Sequence, residues 1–360
     1  MGLTVKELIS IGEKILLDGW RAADASRLYD DVLPAADAAR PCDEVPSATD
    51  AARLLDDVLP AADAARPCDD GSKADAAREA EALLCFVTGF DKQKIFMNWG
   101  REMDDGRCEA FFDLAGRRAG GEPLQYITGE QYFMGHRLRV DPSVLIPRPE
   151  TETLAEKAIE YLKARPGAKD VLDLCTGSGA LAISIVKACP RIRATATDIS
   201  AKALGVALKN AQAIGAANRI SFIEGNLFAA LESNPFAALE SNPFSPGRRG
   251  PSGKKFDLIV TNPPYIRTGE LAGLQREVKD HEPLTALDGG ADGLDFYRLI
   301  AAGALAHMRA GACLMAEIGH DQAQDVAGIF GAAGFTDIEV SKDLAGLDRI
   351  IKAHSPGAPR

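Results

Sequence analysis

From residue 148 onward the chain alternates short, β-favouring apolar runs with stretches of helical spacing, and this alternation restricts its fold more than any other feature. Strands read at Asp170–Leu174, Arg193–Asp198, Ile220–Glu224, Phe256–Thr261, 312–318 and 338–342, with helices between them. That order is the signature of an α/β domain with a mainly parallel, doubly wound sheet. Upstream the pattern differs. Residues 5–20, 74–88 and 108–118 carry apolar residues at helical spacing. "YITGEQYFMGHRLRVDPSVLIP" then mixes aromatics, glycines and partial alternation, as a short hairpin does. The organisation expected is a helical domain over 1–125, a hairpin linker over 126–147, the α/β domain over 148–354 and a tail over 355–360.

Two exact repeats interrupt this plan: "DDVLPAADAARPCD" at 30–43 and 56–69, and "FAALESNP" at 228–235 and 236–243. Two copies are too few for a solenoid. Tandem expansion inside tolerant loops is the simpler reading, giving an Ala/Asp-rich insert over about 21–77 and an expanded loop over 229–255. The net charge of -11 is concentrated in that insert, where 13 acidic residues face 6 basic ones, a net of -7 that leaves -4 for the rest. The total charge argues against a protein that coats nucleic acid, but with the excess in the insert it says little about the α/β domain. No apolar run approaches the ~20 residues of a membrane span, and "MGLTVKELIS" lacks the order of a signal peptide, so a cytoplasmic protein without membrane contact is expected. The seven cysteines form no C-x-x-C pair, which favours free thiols and no metal site.

Chemistry concentrates at three strand ends. "VLDLCTGSGALAISIV" is an apolar strand, an acid, a small-residue turn and a helix. Gly177 and Gly179 let backbone approach a ligand where a Cβ would collide. The spacing is neither G-x-G-x-x-G nor a phosphate loop, so a ligand without phosphate is favoured. Asp198 ends the next strand, where an acid can accept both ribose hydroxyls. The two together indicate a nucleoside-containing ligand, S-adenosylmethionine ahead of NAD. At the fourth strand, "LIVTNPPYI" ends in residues that cannot donate: each proline lacks an N–H and holds its predecessor extended. The loop offers acceptors, the Asn262 side-chain oxygen and nearby carbonyls, which suit a planar NH2 group. Tyr265 would cover that group by stacking.

With "DLCTGSGA", "TDIS" and "TNPPYI" in order, the C-terminal half resembles class I S-adenosylmethionine-dependent methyltransferases that modify planar nitrogens. "RRAGGEPLQYITGEQYF", "LIPRPETE", "HEPLTALDGGADGLDFYR" and "KDLAGLDRII" narrow the resemblance to the release factor glutamine methyltransferases. The resemblance implies a Rossmann-like catalytic domain preceded by a small helical domain and a β-hairpin linker. It implies N5-methylation of the glutamine in the Gly-Gly-Gln loop of peptide chain release factors, with no direct nucleic-acid partner. Carried over by motif, Cys175, Thr176, Gly177, Ser178 and Gly179 line the methionine end of the cofactor, and Asp173 orients either that turn or the cofactor's amino group through water. Asp198 takes the ribose, while Asn226 and Leu227 in "EGNLF" approach the adenine. Asn262, Pro263, Pro264 and Tyr265 hold the target amide, and Asn262 also counts among the cofactor-binding residues. "LIPRPETE" either contacts the substrate or locks the linker, with Arg148 paired to a carboxylate; His281 and Glu282 read as loop anchors. An amino-methyltransferase acting on adenine or guanine in nucleic acid shares the "NPPY" motif and stays as the alternative.

Overall fold

The computed structural model describes residues 2–30, 70–231 and 253–357. The repeats at 56–69 and 236–243, residues 31–43 of 30–43 and residues 232–235 of 228–235 lie outside the described residues. The chain divides into two compact units, Met1–Thr128 and Gly129–Arg360.

The first unit is helical: α1 (Val5–Asp30), α2 (Asp70–Thr88), α3 (Lys92–Met97), α4 (Asp105–Ala119) and α5 (Leu124–Thr128). Helix α1 continues past Trp20 into the stretch read as insert, because nothing up to Asp30 breaks helical backbone and the first proline comes at 34. Asp91 and Asp104 cap α3 and α4, accepting the backbone N–H groups of Lys94 and Arg107 at 2.8 and 3.0 Å. Leu8, Leu16, Leu83, Leu84, Ile95 and Phe111 form the core, each worth about 1.5 to 3 kcal/mol of burial. Helices α1 and α4 cross closely because α1 has no side chain there. A Cβ on Gly12 would stand 2.5 Å from Phe111 Cζ, and one on Gly19 2.6 Å from Ala119 Cβ. Arg118 is almost fully buried, and Glu79 compensates its charge at 2.5 Å.

The second unit opens with an antiparallel hairpin, β1 (Glu130–Phe133) and β2 (His136–Arg139), followed by α6 (Pro149–Lys163). Then come β3 (Asp170–Leu174), α7 (Ala180–Ala188), β4 (Arg193–Asp198), α8 (Ala201–Ala213), β5 (Ile220–Glu224), β6 (Phe256–Thr261), α9 (Arg276–Lys279), α10 (Asp295–His307), β7 (Met308–Glu317), α11 (Ala323–Ala332), β8 (Thr336–Lys342) and β9 (Asp348–His354). Seven strands pair in the order β5-β4-β3-β6-β7-β9-β8. The first five run parallel, and β9 inserts antiparallel between β7 and β8. The sequence pattern missed β9 because "DRIIKAH" begins and ends in polar residues; its interior Ile350, Ile351 and Ala353 are buried only because β7 and β8 flank it.

Alternate strand residues serve opposite faces. Val171, Leu258, Val260, Cys313 and Met315 face a core closed by α6 and α7. Leu172, Ile259, Leu314 and Ala316 face one closed by α10 and α11. A parallel sheet covered on both sides needs apolar residues at consecutive positions, which is why these runs lack polar alternation. Among the described residues, no helix is long and apolar enough to cross a membrane.

Candidate active site

The strand order reverses between β3 and β6: from β3 the chain steps outward to β4 and β5, then returns to the other side of β3. In open α/β sheets the carboxyl ends at such a reversal leave a crevice. Leu174 and Thr261 are register partners there, and the Thr261 hydroxyl donates to the Leu174 carbonyl at 2.9 Å. The small-residue turn and the Asn-Pro-Pro-Tyr loop therefore leave the sheet side by side.

A cavity of about 470 Å³ occupies the crevice, within the range of small-molecule sites. Of the residues expected to act, Cys175, Thr176, Gly177, Ser178, Asp198, Asn226, Leu227, Asn262 and Pro264 form its wall. Asp173, Gly179, Pro263 and Tyr265 are not part of that wall.

The turn after β3 is shaped by backbone. Cys175, Gly177 and Gly179 all have positive φ, at 58°, 53° and 82°, a region that costs little only for glycine. Buried Asp173 braces the turn from beneath: its Oδ2 accepts from the Thr176 hydroxyl at 2.6 Å and the Ala182 N–H at 3.1 Å. Burial raises its carboxyl to about 7, against those two hydrogen bonds. Its Oδ1 is buried without a hydrogen-bond partner. Asp198 bridges the neighbouring strand end, accepting from the N–H groups of Gly177 and Ser200 at 2.9 Å each. The carboxylate still has acceptor capacity for a ligand hydroxyl. Burial pushes the Cys175 thiol up, so it stays a neutral turn residue rather than a nucleophile.

The loop after β6 is held by side chains from distant segments. Gln322 donates through Nε2 to the carbonyls of Tyr265 and Gly293 at 2.9 and 3.2 Å, while its Oε1 accepts from the Gly319 N–H. A Cβ on Gly289 would come within 2.7 Å of Tyr265 Cα, so this loop packs backbone to backbone against "DGGADG". Asn262 donates through Nδ2 to the Thr151 hydroxyl at 3.2 Å, and Thr151 donates to Glu317 Oε2 at 2.7 Å. The Tyr265 hydroxyl reaches Glu317 Oε1 at 3.5 Å and its ring packs into the α10/α11 core. The ring thus stands away from the covering position over the cavity that the sequence suggested, drawn inward by a buried carboxylate and an apolar pocket.

Arg148 also lines the cavity and is ion-paired to Glu282, whose other oxygen accepts from the Ile146 N–H at 3.4 Å. "LIPRPETE" and "HEPLTAL" are thereby clamped together. Sequence reading missed Thr151, Glu317 and Asn210. Asn210 accepts from the Arg139 N–H at 2.7 Å and donates to the carbonyls of Arg139 and Ser178 at 3.0 and 2.9 Å, tying hairpin to turn. Its signal was a lone amide in the apolar stripe Ala203, Ala207 and Ala211 of α8. The signal for Glu317 was an acid closing an apolar strand, as Asp173 and Asp198 do.

The residues present fit a nucleoside-bearing sulfonium cofactor. A Cβ on Gly177 would meet no atom within 4 Å, so the turn keeps open space at the wall, and Asp198 has acceptor capacity to spare. This sheet order, the positive-φ turn and the strand-end acid define a class I S-adenosylmethionine-dependent methyltransferase.

Comparison with known proteins takes the assignment further. The family model of the PrmC N-terminal domain matches residues 69–129, and that of the methyltransferase small domain matches 155–250. The release factor glutamine methyltransferase of Geobacter sulfurreducens is 40% identical over 77% of this chain and 89% of its own length. That of Cereibacter sphaeroides is 39% identical over 79% and 93%. The crystal structure of a release factor-specific protein-(glutamine-N5) methyltransferase from Alicyclobacillus acidocaldarius is similar at 30% identity and a TM-score of 0.34, covering 61% of this chain and 99% of that one. The chain belongs to the release factor glutamine methyltransferase family.

Proposed function

We propose that this protein transfers the methyl group of S-adenosylmethionine to the side-chain amide nitrogen, N5, of the glutamine in the Gly-Gly-Gln loop of peptide chain release factors, in the cytoplasm. The observation that carries the reading is the joining of two unlike surfaces in one cavity, a glycine-rich turn with a ribose-suited acid and a loop of acceptors with few donors. Bound on the turn, the cofactor supplies an electrophilic methyl on a sulfonium. The protein's own task is then to aim a weak nucleophile in line and exclude water, which supplies about 7 to 11 kcal/mol of the barrier.

Asn262 Oδ1 and the Pro263 carbonyl accept the N–H groups of the target amide. As the nitrogen gains positive charge its N–H groups become stronger donors, so fixed acceptors bind the transition state more tightly than the ground state. No base is required before attack; the proton leaves afterwards to water or to the same oxygens. Pro264 shapes the wall, and Tyr265 supports the loop from behind. Cys175, Thr176, Gly177 and Ser178 accommodate the methionine end, with Asp173 and Gly179 fixing their backbone. Asp198 takes the ribose, and Asn226 and Leu227 flank the adenine. The helical unit serves in recognising the release factor.

The test is transfer of labelled methyl to a release factor, to its loop Gln-to-Ala variant, and to DNA and RNA in parallel. Label is expected on the parent release factor alone. Label on nucleic acid, or on the variant as strongly as on the parent, would overturn the reading in favour of an amino-methyltransferase of nucleic acid.

A further inference from the structure

The acceptor role of Asn262 depends on which end of its amide faces the cavity, since the opposite end would present an NH2 donor to an NH2 donor. Asn262 alone cannot set this, because the two ends of an amide are nearly equal in shape. Its neighbour can. The Thr151 hydroxyl has one proton, which it donates to Glu317 Oε2 at 2.7 Å. Toward Asn262, at 3.2 Å, that oxygen can then only accept, and it selects Nδ2. Oδ1 is left for the cavity.

We propose that Thr151 and Glu317 are positioning residues of the transfer reaction, forming a one-way hydrogen-bond chain that fixes the Asn262 amide with its oxygen toward the substrate. The inference rests on the reading that Asn262 Oδ1 receives the target amide. Glu317 is held for this task from several sides. The Tyr297 hydroxyl donates to its main-chain carbonyl at 2.8 Å, and Tyr265 reaches its second carboxylate oxygen. The surrounding charges are Glu150 at the start of α6 and Arg349 on β9. A fully buried carboxylate is costly unless its partners compensate it. Its presence at the far end of this chain is explained by what an ionised acid does here, which is accept and never donate.

The direction of the chain is therefore sensitive to protonation. Burial raises the Glu317 carboxyl to about 7; Thr151 and Arg349 oppose the rise and Glu150 adds to it. Once protonated, Glu317 can donate to Thr151, which frees the threonine proton for Asn262 Oδ1 and lets the amide turn over. The chain directs Asn262 above this pKa and loses its direction as the pH falls through it.

The experiment measures kcat, KM for the release factor and cofactor affinity across pH 5.5 to about 9 for the parent, Thr151→Val, Thr151→Ser, Glu317→Gln and Asn262→Ala. Thr151→Val, of the same shape without the hydroxyl, is expected to lower kcat about 10- to 100-fold, with cofactor affinity within about twofold. Thr151→Ser, which keeps the hydroxyl, is expected within about threefold of the parent. Glu317→Gln is expected to lower kcat as Thr151→Val does and to remove the fall of kcat below neutral pH. A Thr151→Val enzyme at the parent rate, a serine variant as impaired as the valine one, or an acid limb that persists in Glu317→Gln would each sink the proposal. Asn262→Ala separates the two levels: if it is inactive while Thr151→Val is not, the chain fails alone, and if it is active the acceptor reading fails with it.

Discussion

The two halves of the cavity are built by opposite means. The turn after β3 gets its conformation mainly from within a few residues of sequence, three positive-φ positions and an acid of its own strand, and is then tied at its edges by Asp198 and Asn210. The loop after β6 has little local means of holding itself. Its prolines remove donors and restrict φ, but its position comes from Thr151, Gln322, Glu317 and the Gly289–Gly293 backbone, brought in from elsewhere in the chain. On the proposed reading, the cofactor is met mainly by local backbone, while the substrate amide is met by an assembly of distant parts.

Substitutions on the two sides should therefore separate binding from transfer. The largest effect is expected from Asn262→Ala, which removes the proposed transition-state acceptor: transfer falls about 100- to 1,000-fold in single-turnover assays while calorimetry finds cofactor affinity nearly unchanged. Lost affinity would mean that the two halves are not separable. Next, Gly289→Ala forces a Cβ toward Tyr265 Cα and displaces the acceptor loop, for a loss of about 100-fold in kcat at constant cofactor Kd. Its counterpart, Gly179→Ala, places a side chain at φ 82° against Ala207, at a cost of roughly 1 to 3 kcal/mol. That cost is expected in cofactor affinity and not in the rate at saturation.

A smaller effect is expected from Gln322→Leu, which leaves the Tyr265 and Gly293 carbonyls unpaired; at about 1 to 3 kcal/mol, the melting temperature drops by several degrees. The smallest is a slope. Asp173 and Glu317 both have folded-state pKa values raised to about 7. Between the ordinary carboxylate range and 7 the folded protein therefore binds more protons than the unfolded chain, and stability falls as pH rises through that window. In Asp173→Asn the decline is expected to be shallower, as read from urea midpoints at a series of pH values.

How much could be read from the sequence follows the same division. The boundaries of β3 and β6 were legible because a strand buried on both faces needs an apolar run, and those of β4 and β5 from their short β-favouring runs between helical stretches. Strand β9 was not, because its burial is conferred by β7 and β8. The cavity residues on the turn were legible as a glycine pattern. Tyr265 was expected over the cavity, and its inward position follows from Glu317, which is 52 residues away in the chain. The ion pair of Arg148 was foreseen only as a pairing with some carboxylate; that the partner is Glu282, 134 residues on, required the fold.

Neighbouring residues alone dictate which backbone twists into a glycine turn, where donors are missing and which strands carry an acid near their ends, because these are local properties of the chain. The packing of distant segments sets what holds the Asn262 loop, which hydroxyl its amide meets and which acid stays buried. Those outcomes depend on hydrogen-bond direction and desolvation, and both arise only when segments far apart in the chain are packed together.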